Sequence, residues 1–184
     1  REQYVQKIRA AAEARAQRDF FIVARTDALA VAGMDEAVSR VTAAREAGAE
    51  TETLYVADLD IAPCDACGAC SSTGICHIKD GMQTVYEKLE QADGVIFGTP
   101  VYFLNVSAQA KAVIDRTCAF LMTGKLRGKV AAVIAAARRV GAGQVLSLMY
   151  SYFSVQRMII AGGGIGYGRE KGDVRTGPGG SPVL

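Results

Sequence analysis

Short apolar runs alternate with amphipathic stretches along the 184-residue chain. Tyr4 to Arg18 is rich in Ala, Arg, Glu and Gln, and Tyr4, Ile8, Ala11 and Ala12 share one face, which predicts a helix. DFFIVAR (Asp19–Arg25) is a continuous apolar run of the kind a strand buried on both faces needs. Met34 to Ala47 reads as a helix closed by Gly48, with Val38, Val41 and Ala44 facing inward. TETLYVA (Thr51–Ala57) reads as a second strand, whose polar residues suit a sheet edge. A cysteine-rich loop follows, then a helix from about Asp80 to Gln91 and a buried strand at Asp93–Pro100. Val106–Cys118 reads as helix, Lys129–Ala137 as strand, Gly143–Val155 as helix and Arg157–Gly162 as the last strand. Glycines crowd between Gly162 and Gly180, so the tail reads as a partly mobile loop.

Strands separated by helices of this length indicate a parallel, doubly wound α/β sheet in a single domain spanning residues 1–184. Such sheets bind ligands outside the carboxyl ends of their strands. The loops after Arg25, Gly98 and Ala137 are expected to meet there, and the cysteine loop leaves the same edge.

Composition narrows the function classes. A chain that is 50% hydrophobic buries an ordinary core without disulfide staples. Net charge is +2 with no basic block, which argues against nucleic acid or anionic lipid as the main partner. There is no charged-then-apolar leader pattern and no apolar run of membrane-spanning length, so the expected location is cytoplasmic, away from the membrane.

Four of the five cysteines fall in PCDACGACSSTGIC, Pro63 to Cys76. Cys64, Cys67, Cys70 and Cys76 read C-x2-C-x2-C-x5-C, a density that in a cytosolic chain suggests metal ligands. Three cysteines at x2 spacing wrap three corners of an iron–sulfur cubane, whereas structural zinc favours well-separated pairs. Gly68, Ser71, Ser72 and Gly74 keep the loop small. Reduced thiols without metal remain the alternative. Cys118 stands alone and is expected to be dispensable, and His77 reads as a loop residue rather than an acid–base catalyst.

From about Arg45 to Leu184 the chain resembles the iron–sulfur flavoproteins, flavodoxin-like relatives of NAD(P)H-dependent FMN reductases. The residues carrying the resemblance are EAGAETETLYVADLDIAPCDACGAC, the following GICHIKDGM, ADGVIFGTPVYFLNVSAQAKAVIDR, and AARRVGAGQ. The resemblance implies a three-layer sandwich with a five-stranded parallel sheet in the order 2-1-3-4-5. It implies FMN at the strand carboxyl ends, and a [4Fe–4S] cluster on Cys64, Cys67, Cys70 and Cys76 in the loop 63–77. The flavin ring would meet Thr99, Pro100, Val101, Tyr102, Phe103 and Asn105, and lie against Ala137, Arg138, Arg139 and Gly141. The alternatives are that Tyr102 and Phe103 pack as core and that the two arginines are merely solvated. A small redox partner or nicotinamide donor, and a homo-oligomer with the cluster near a subunit interface, are implied as well.

Residues 1–48 depart from that family. KIRAAAEARAQRDFFIVARTDALAVAGMDEAVSR resembles the isocitrate lyase and phosphoenolpyruvate mutase superfamily, where it forms a helix, a strand ending in A-R-T-D-A, and a helix of a (β/α)8 barrel. The chain therefore reads as a chimera, most simply an engineered one, with its seam in Val41–Glu50; a natural sequence with a variant front end is the alternative. A flavodoxin-like protein is expected to begin at its first strand and to continue beyond Leu184 into a last helix. The helix Tyr4–Arg18 is expected to take that helix's place, beside Met34–Ala47. Residues 49–162 form the flavodoxin-like part and 163–184 the tail. The family's FMN phosphate loop is replaced by Arg25–Gly33: Thr26 and the Met34 helix start attract an anion, while Asp27, Asp35 and Glu36 repel it. FMN binding is expected to be weakened, and lyase activity is not expected. A designed fold without bound cofactor or catalysis is the competing reading.

Overall fold

The computed structural model describes residues 52–168, together with Gln6 and Ala10. The chain divides into two compact units, and one of them, Leu54–Gly166, lies within this range. The predicted helices Tyr4–Arg18 and Met34–Ala47, the strand Asp19–Arg25, Thr26 and the barrel-like segment lie outside the described residues, apart from Gln6 and Ala10, which are helical.

A 3-10 turn at Val56–Asp58 leads through the cysteine loop and the short helix α1 (Cys70–Thr73) to α2 (Met82–Gln91) and β1 (Gly94–Tyr102). Then come β2 (Asn105–Val106), α3 (Ala108–Arg116), α4 (Cys118–Leu121), β3 (Val130–Ala137), α5 (Ala142–Val155) and β4 (Ile159–Tyr167). The sheet order is β2-β1-β3-β4. β1 and β3 run parallel, from Gly94 beside Val130 to Pro100 beside Ala136, while β2 pairs antiparallel with the end of β1 through Val101–Val106 and Tyr102–Asn105.

Alternation along β3 explains the packing. Ala131, Val133, Ala135 and Ala137 are buried on one face, and their small side chains let α5 approach closely. Val145, Met149 and Phe153 of α5 are buried, and Phe97 of β1 packs on Tyr152 and Phe153 with ring centroids 5.7 Å apart. Met82, Val85 and Leu89 add the apolar stripe of α2. On the other face Ile96 is 65% exposed and Ile134 41% exposed, so these strands are not buried on both sides as their apolar runs led one to expect.

Four predicted elements are corrected. Residues 52–55 have no regular structure and Val56–Asp58 is a 3-10 turn, so Thr51–Ala57 is not a strand among the described residues; its expected neighbour, Asp19–Arg25, lies outside them. The five-stranded parallel order becomes four described strands with one antiparallel pair, because β1 runs on past Pro100 into a hairpin. The helix predicted at Val106–Cys118 starts at Ala108, where the Ser107 hydroxyl accepts from Ala110 N at 3.2 Å, and breaks at Thr117. The glycine run after Gly162 is strand as far as Tyr167. A Cβ on Gly163 would stand 2.7 Å from Tyr150 Oη and 2.9 Å from Leu146 Cδ2, so the glycine leaves room for these two α5 side chains. No helix among the described residues is long and apolar enough to cross a membrane.

Candidate flavin and metal site

The cysteine loop is shaped by its backbone. Each x2 step contains one left-handed residue, Ala66 at φ 57° between Cys64 and Cys67, and Gly68 at φ 74° between Cys67 and Cys70. A left-handed residue turns the chain within each step. Gly74, at φ 66°, ends α1 by donating its N–H to Cys70 O at 2.9 Å, and a Cβ there would stand 2.3 Å from Thr123 Cγ2. Cys64, Cys67, Cys70 and Cys76 line one small open cleft, together with Cys118 and Arg116. All five thiols are free; Cys70 and Cys76 are half-buried and the other three exposed. Burial pushes the Cys70 thiol up, and the neighbouring Cys118 and Cys76 sulfurs add to the effect.

At the cleft's rim, Asp65 accepts from Cys67 N at 3.2 Å and lies 2.7 Å from His77 Nε2. The bond to His77, then those to Cys67, hold its carboxyl below the usual range. Ligand atoms of Asp65, Cys67 and His77 fall within 4.8 Å of one another.

The neck of the loop is closed by a buried ion pair. The Arg116 side chain is fully buried; its Nη1 donates to Ala62 O (2.8 Å) and Asp80 Oδ2 (2.9 Å), and its Nη2 to Ile78 O (3.1 Å) and Asp80 Oδ1 (3.2 Å). Asp80 also accepts from Ala62 N at 2.9 Å and from Met82 N at 3.0 Å, the latter at the start of α2. Burial pushes the Asp80 carboxyl up, but the bonds from Arg116, Ala62 and Met82 outweigh it and hold the group below its ordinary value. Tyr86 Oη donates to Arg116 O at 2.6 Å. Neither Arg116 nor Asp80 was singled out from the sequence. The readable signal was an arginine three residues after Val113, on the buried face of α3.

The expected flavin-contacting residues gather at the ends of β1 and β3. Tyr102 to Asn105 form a tight hairpin whose turn residues, Phe103 and Leu104, are left-handed at φ 45° and 73°. Phe103 is 99% exposed and Tyr102 62%, so these rings are not core. Thr99 is buried; its hydroxyl accepts from Ser107 N at 3.3 Å and donates to Pro100 O at 3.0 Å, which secures the hairpin from below. Asn105 Oδ1 accepts from Val106 N at 2.8 Å. Gly141, at φ 97°, opens α5 so close to the hairpin that a Cβ would stand 2.7 Å from both Leu104 Cα and Val101 Cγ1. The two expected flavin loops therefore touch. Ala137 ends β3 buried, and Arg138 and Arg139 are exposed beyond it.

Hairpin and cysteine cleft lie at opposite ends of one helix. Ser107, next to β2, caps the start of α3, while Asp115 and Arg116 at its end line the cleft. Nine residues of helix span about 13 Å.

Residues 32–170 match the protein family described as NADPH-dependent FMN reductase. The chain is 35% identical over 146 residues to an iron-sulfur flavoprotein of Methanocaldococcus jannaschii, covering 74% of this chain and 76% of that one. It is 37% identical over 124 residues to an iron-sulfur flavoprotein of Methanosarcina thermophila, covering 65% of this chain and 64%, a little under two thirds, of that relative. A separate likeness, 56% identical over 50 residues, is to 2-methylisocitrate lyase of Escherichia coli, and covers 27% of this chain and 17% of the lyase. Among solved structures, RosB with a bound formylriboflavin phosphate intermediate superposes with a TM-score of 0.54 at 19% identity, over 68% of this chain and 55% of that one, which supports the flavodoxin-like α/β fold. Because the family match spans well over half of the sequence, the chain belongs to the NADPH-dependent FMN reductase family.

Proposed function

We propose that this protein is an FMN-binding iron–sulfur electron-transfer protein whose cluster ligands are Cys64, Cys67, Cys70 and Cys76. The observation that carries the reading is the convergence of those four thiols on one cleft, with a left-handed residue inside each x2 step. Four thiols are the donor set a [4Fe–4S] cluster requires, and the buried Arg116 cation beside the cleft suits an anionic group. The donors fit the cluster. A second reading, a single soft divalent cation such as zinc, is favoured by the close approach of Asp65, Cys67 and His77.

FMN would supply one- and two-electron chemistry at the other end of α3. There the hairpin offers the exposed rings of Tyr102 and Phe103, and the adjoining Ala137–Gly141 loop offers backbone amides and the cations of Arg138 and Arg139. A reduced flavin ring is anionic, so those cations favour it. A nicotinamide dinucleotide is the donor suggested by the family, and a small redox partner the acceptor.

The likeness to a lyase supports the chimera reading, in which residues 1–48 come from a barrel fragment and replace the family's phosphate loop with Arg25–Gly33. The phosphate then adds little affinity. Each charge-assisted hydrogen bond lost is worth roughly 1.5–3 kcal/mol. Riboflavin and FMN are expected to bind alike in a fluorescence titration, and an FMN preference of about a thousandfold would show a working phosphate site. The absorption spectrum of freshly prepared protein tests the whole proposal: flavin bands over a broad cluster shoulder support it, and the absence of both after reconstitution favours a scaffold without cofactor.

A further inference from the structure

We propose that Arg116 is a positioning residue for the metal: it holds the cysteine loop in its ligand-ready shape before the cluster arrives, and keeps one donor free for the anionic group that then fills the cleft. This rests on the iron–sulfur reading above.

A guanidinium has five N–H groups in a rigid fork. Four hydrogen bonds from Nη1 and Nη2 reach Ala62 O, Ile78 O and both oxygens of Asp80. Ala62 and Ile78 bracket the cysteine run, so one side chain ties the two ends of the loop to α3. Asp80 ties them again, through Ala62 N and the first turn of α2. The remaining donor, Nε, is buried and has no hydrogen-bond partner among the described residues. A buried N–H without a partner is costly, and it asks for an acceptor in the cleft. Besides Asp80, the acidic group facing the guanidinium is Cys76, the last cysteine of the run. Arg116 lines the same cleft as the four thiols. A thiolate or cluster sulfur seated there would give Nε its acceptor.

The loop keeps its shape without metal, because the staple is made by protein groups alone.

The test uses the full chain in two variants. Arg116→Lys keeps the charge but cannot fork between Ala62, Ile78 and Asp80. Arg116→Gln combined with Asp80→Asn removes both buried charges together, so neither is left uncompensated. In metal-free protein, with folding checked by thermal melting, native-state alkylation of Cys76 by iodoacetamide should accelerate about tenfold in both variants. After loading with ferrous iron and sulfide, both variants should lose iron to a chelator faster than the parent. Unchanged alkylation in a folded variant, or iron held as tightly in both folded variants as in the parent, would reduce Arg116 to a fold residue and overturn the proposal. Hydrogen exchange on the metal-free parent needs no variant. The Ala62 amide should be protected, and exchange there at the rate of a free peptide would also overturn the proposal. If the parent takes up no iron, the cluster reading fails, while alkylation and exchange still decide the role of Arg116.

Discussion

The two ends of α3 carry two loops built on opposite principles. The cysteine loop has almost no core of its own, since Cys64, Cys67 and His77 are all exposed, and it is held at its neck by charge. Arg116 and Asp80 share six hydrogen bonds there, counting those to Ala62, Ile78 and Met82. The hairpin at the other end contains no ion pair among its described contacts. It is held by shape: Gly141 presses against Leu104 and Val101, Thr99 bonds Ser107, and two bulky residues are forced into left-handed backbone. On the proposed function, the first loop receives an anionic metal centre, which a buried cation and free thiols would suit. On the same proposal, the second presents flat apolar rings, which a rigid backbone would push outward. The contrast predicts that the two loops fail separately.

Asp80→Ala should have the largest effect. It leaves Arg116 buried without a counter-charge and is expected to cost about 3–5 kcal/mol in a denaturant melt, with loss of iron uptake. Acid acts on the same pair. The folded carboxyl of Asp80 titrates below its ordinary 3.8, so its contribution is complete above that value and is lost as pH falls through the lower folded value. Melting temperature should therefore hold steady at neutral pH and drop below about pH 4, and Asp80→Asn should flatten that drop.

At the other end of α3, Gly141→Ala places a methyl against the backbone of Leu104 in a left-handed position, which should cost about 1–3 kcal/mol. Flavin affinity should fall while iron uptake stays at the parent level. Equal loss of both would break the separation of the two loops. Phe103→Gly should have the smallest effect on folding, a gain of up to about 1 kcal/mol from relieving left-handed strain, with weaker flavin fluorescence quenching as the ring is lost.

Much of the frame was legible in the apolar pattern. The runs at Asp93–Pro100 and Lys129–Ala137 become the parallel pair β1 and β3, and Gly143–Val155 is α5 to within a residue at its start. Thr51–Ala57 misled because its β-favouring residues lie in a 3-10 turn and an irregular approach to it. The hairpin was hidden because Phe103-Leu104 carries none of the usual turn chemistry; its left-handed backbone is imposed by the strands and by Gly141. The end of β4 was hidden for the opposite reason. Its glycines look like loop, and only the closeness of Tyr150 and Leu146 shows why a strand needs them. The clustering of the cysteines is legible from spacing alone, but the contacts that close their loop are not. Arg116 lies far in sequence from the loop it closes, and no local pattern links it to Ala62 or Ile78.

The proposal that the four thiols of the 63–77 loop form one metal centre stands or falls on iron stoichiometry. Anaerobic reconstitution of the full chain should give about four irons and four sulfides per chain. Cys67→Ser should lose most of them and Cys118→Ser should lose none. One zinc and no iron in the parent, or undiminished iron in Cys67→Ser, would contradict the account.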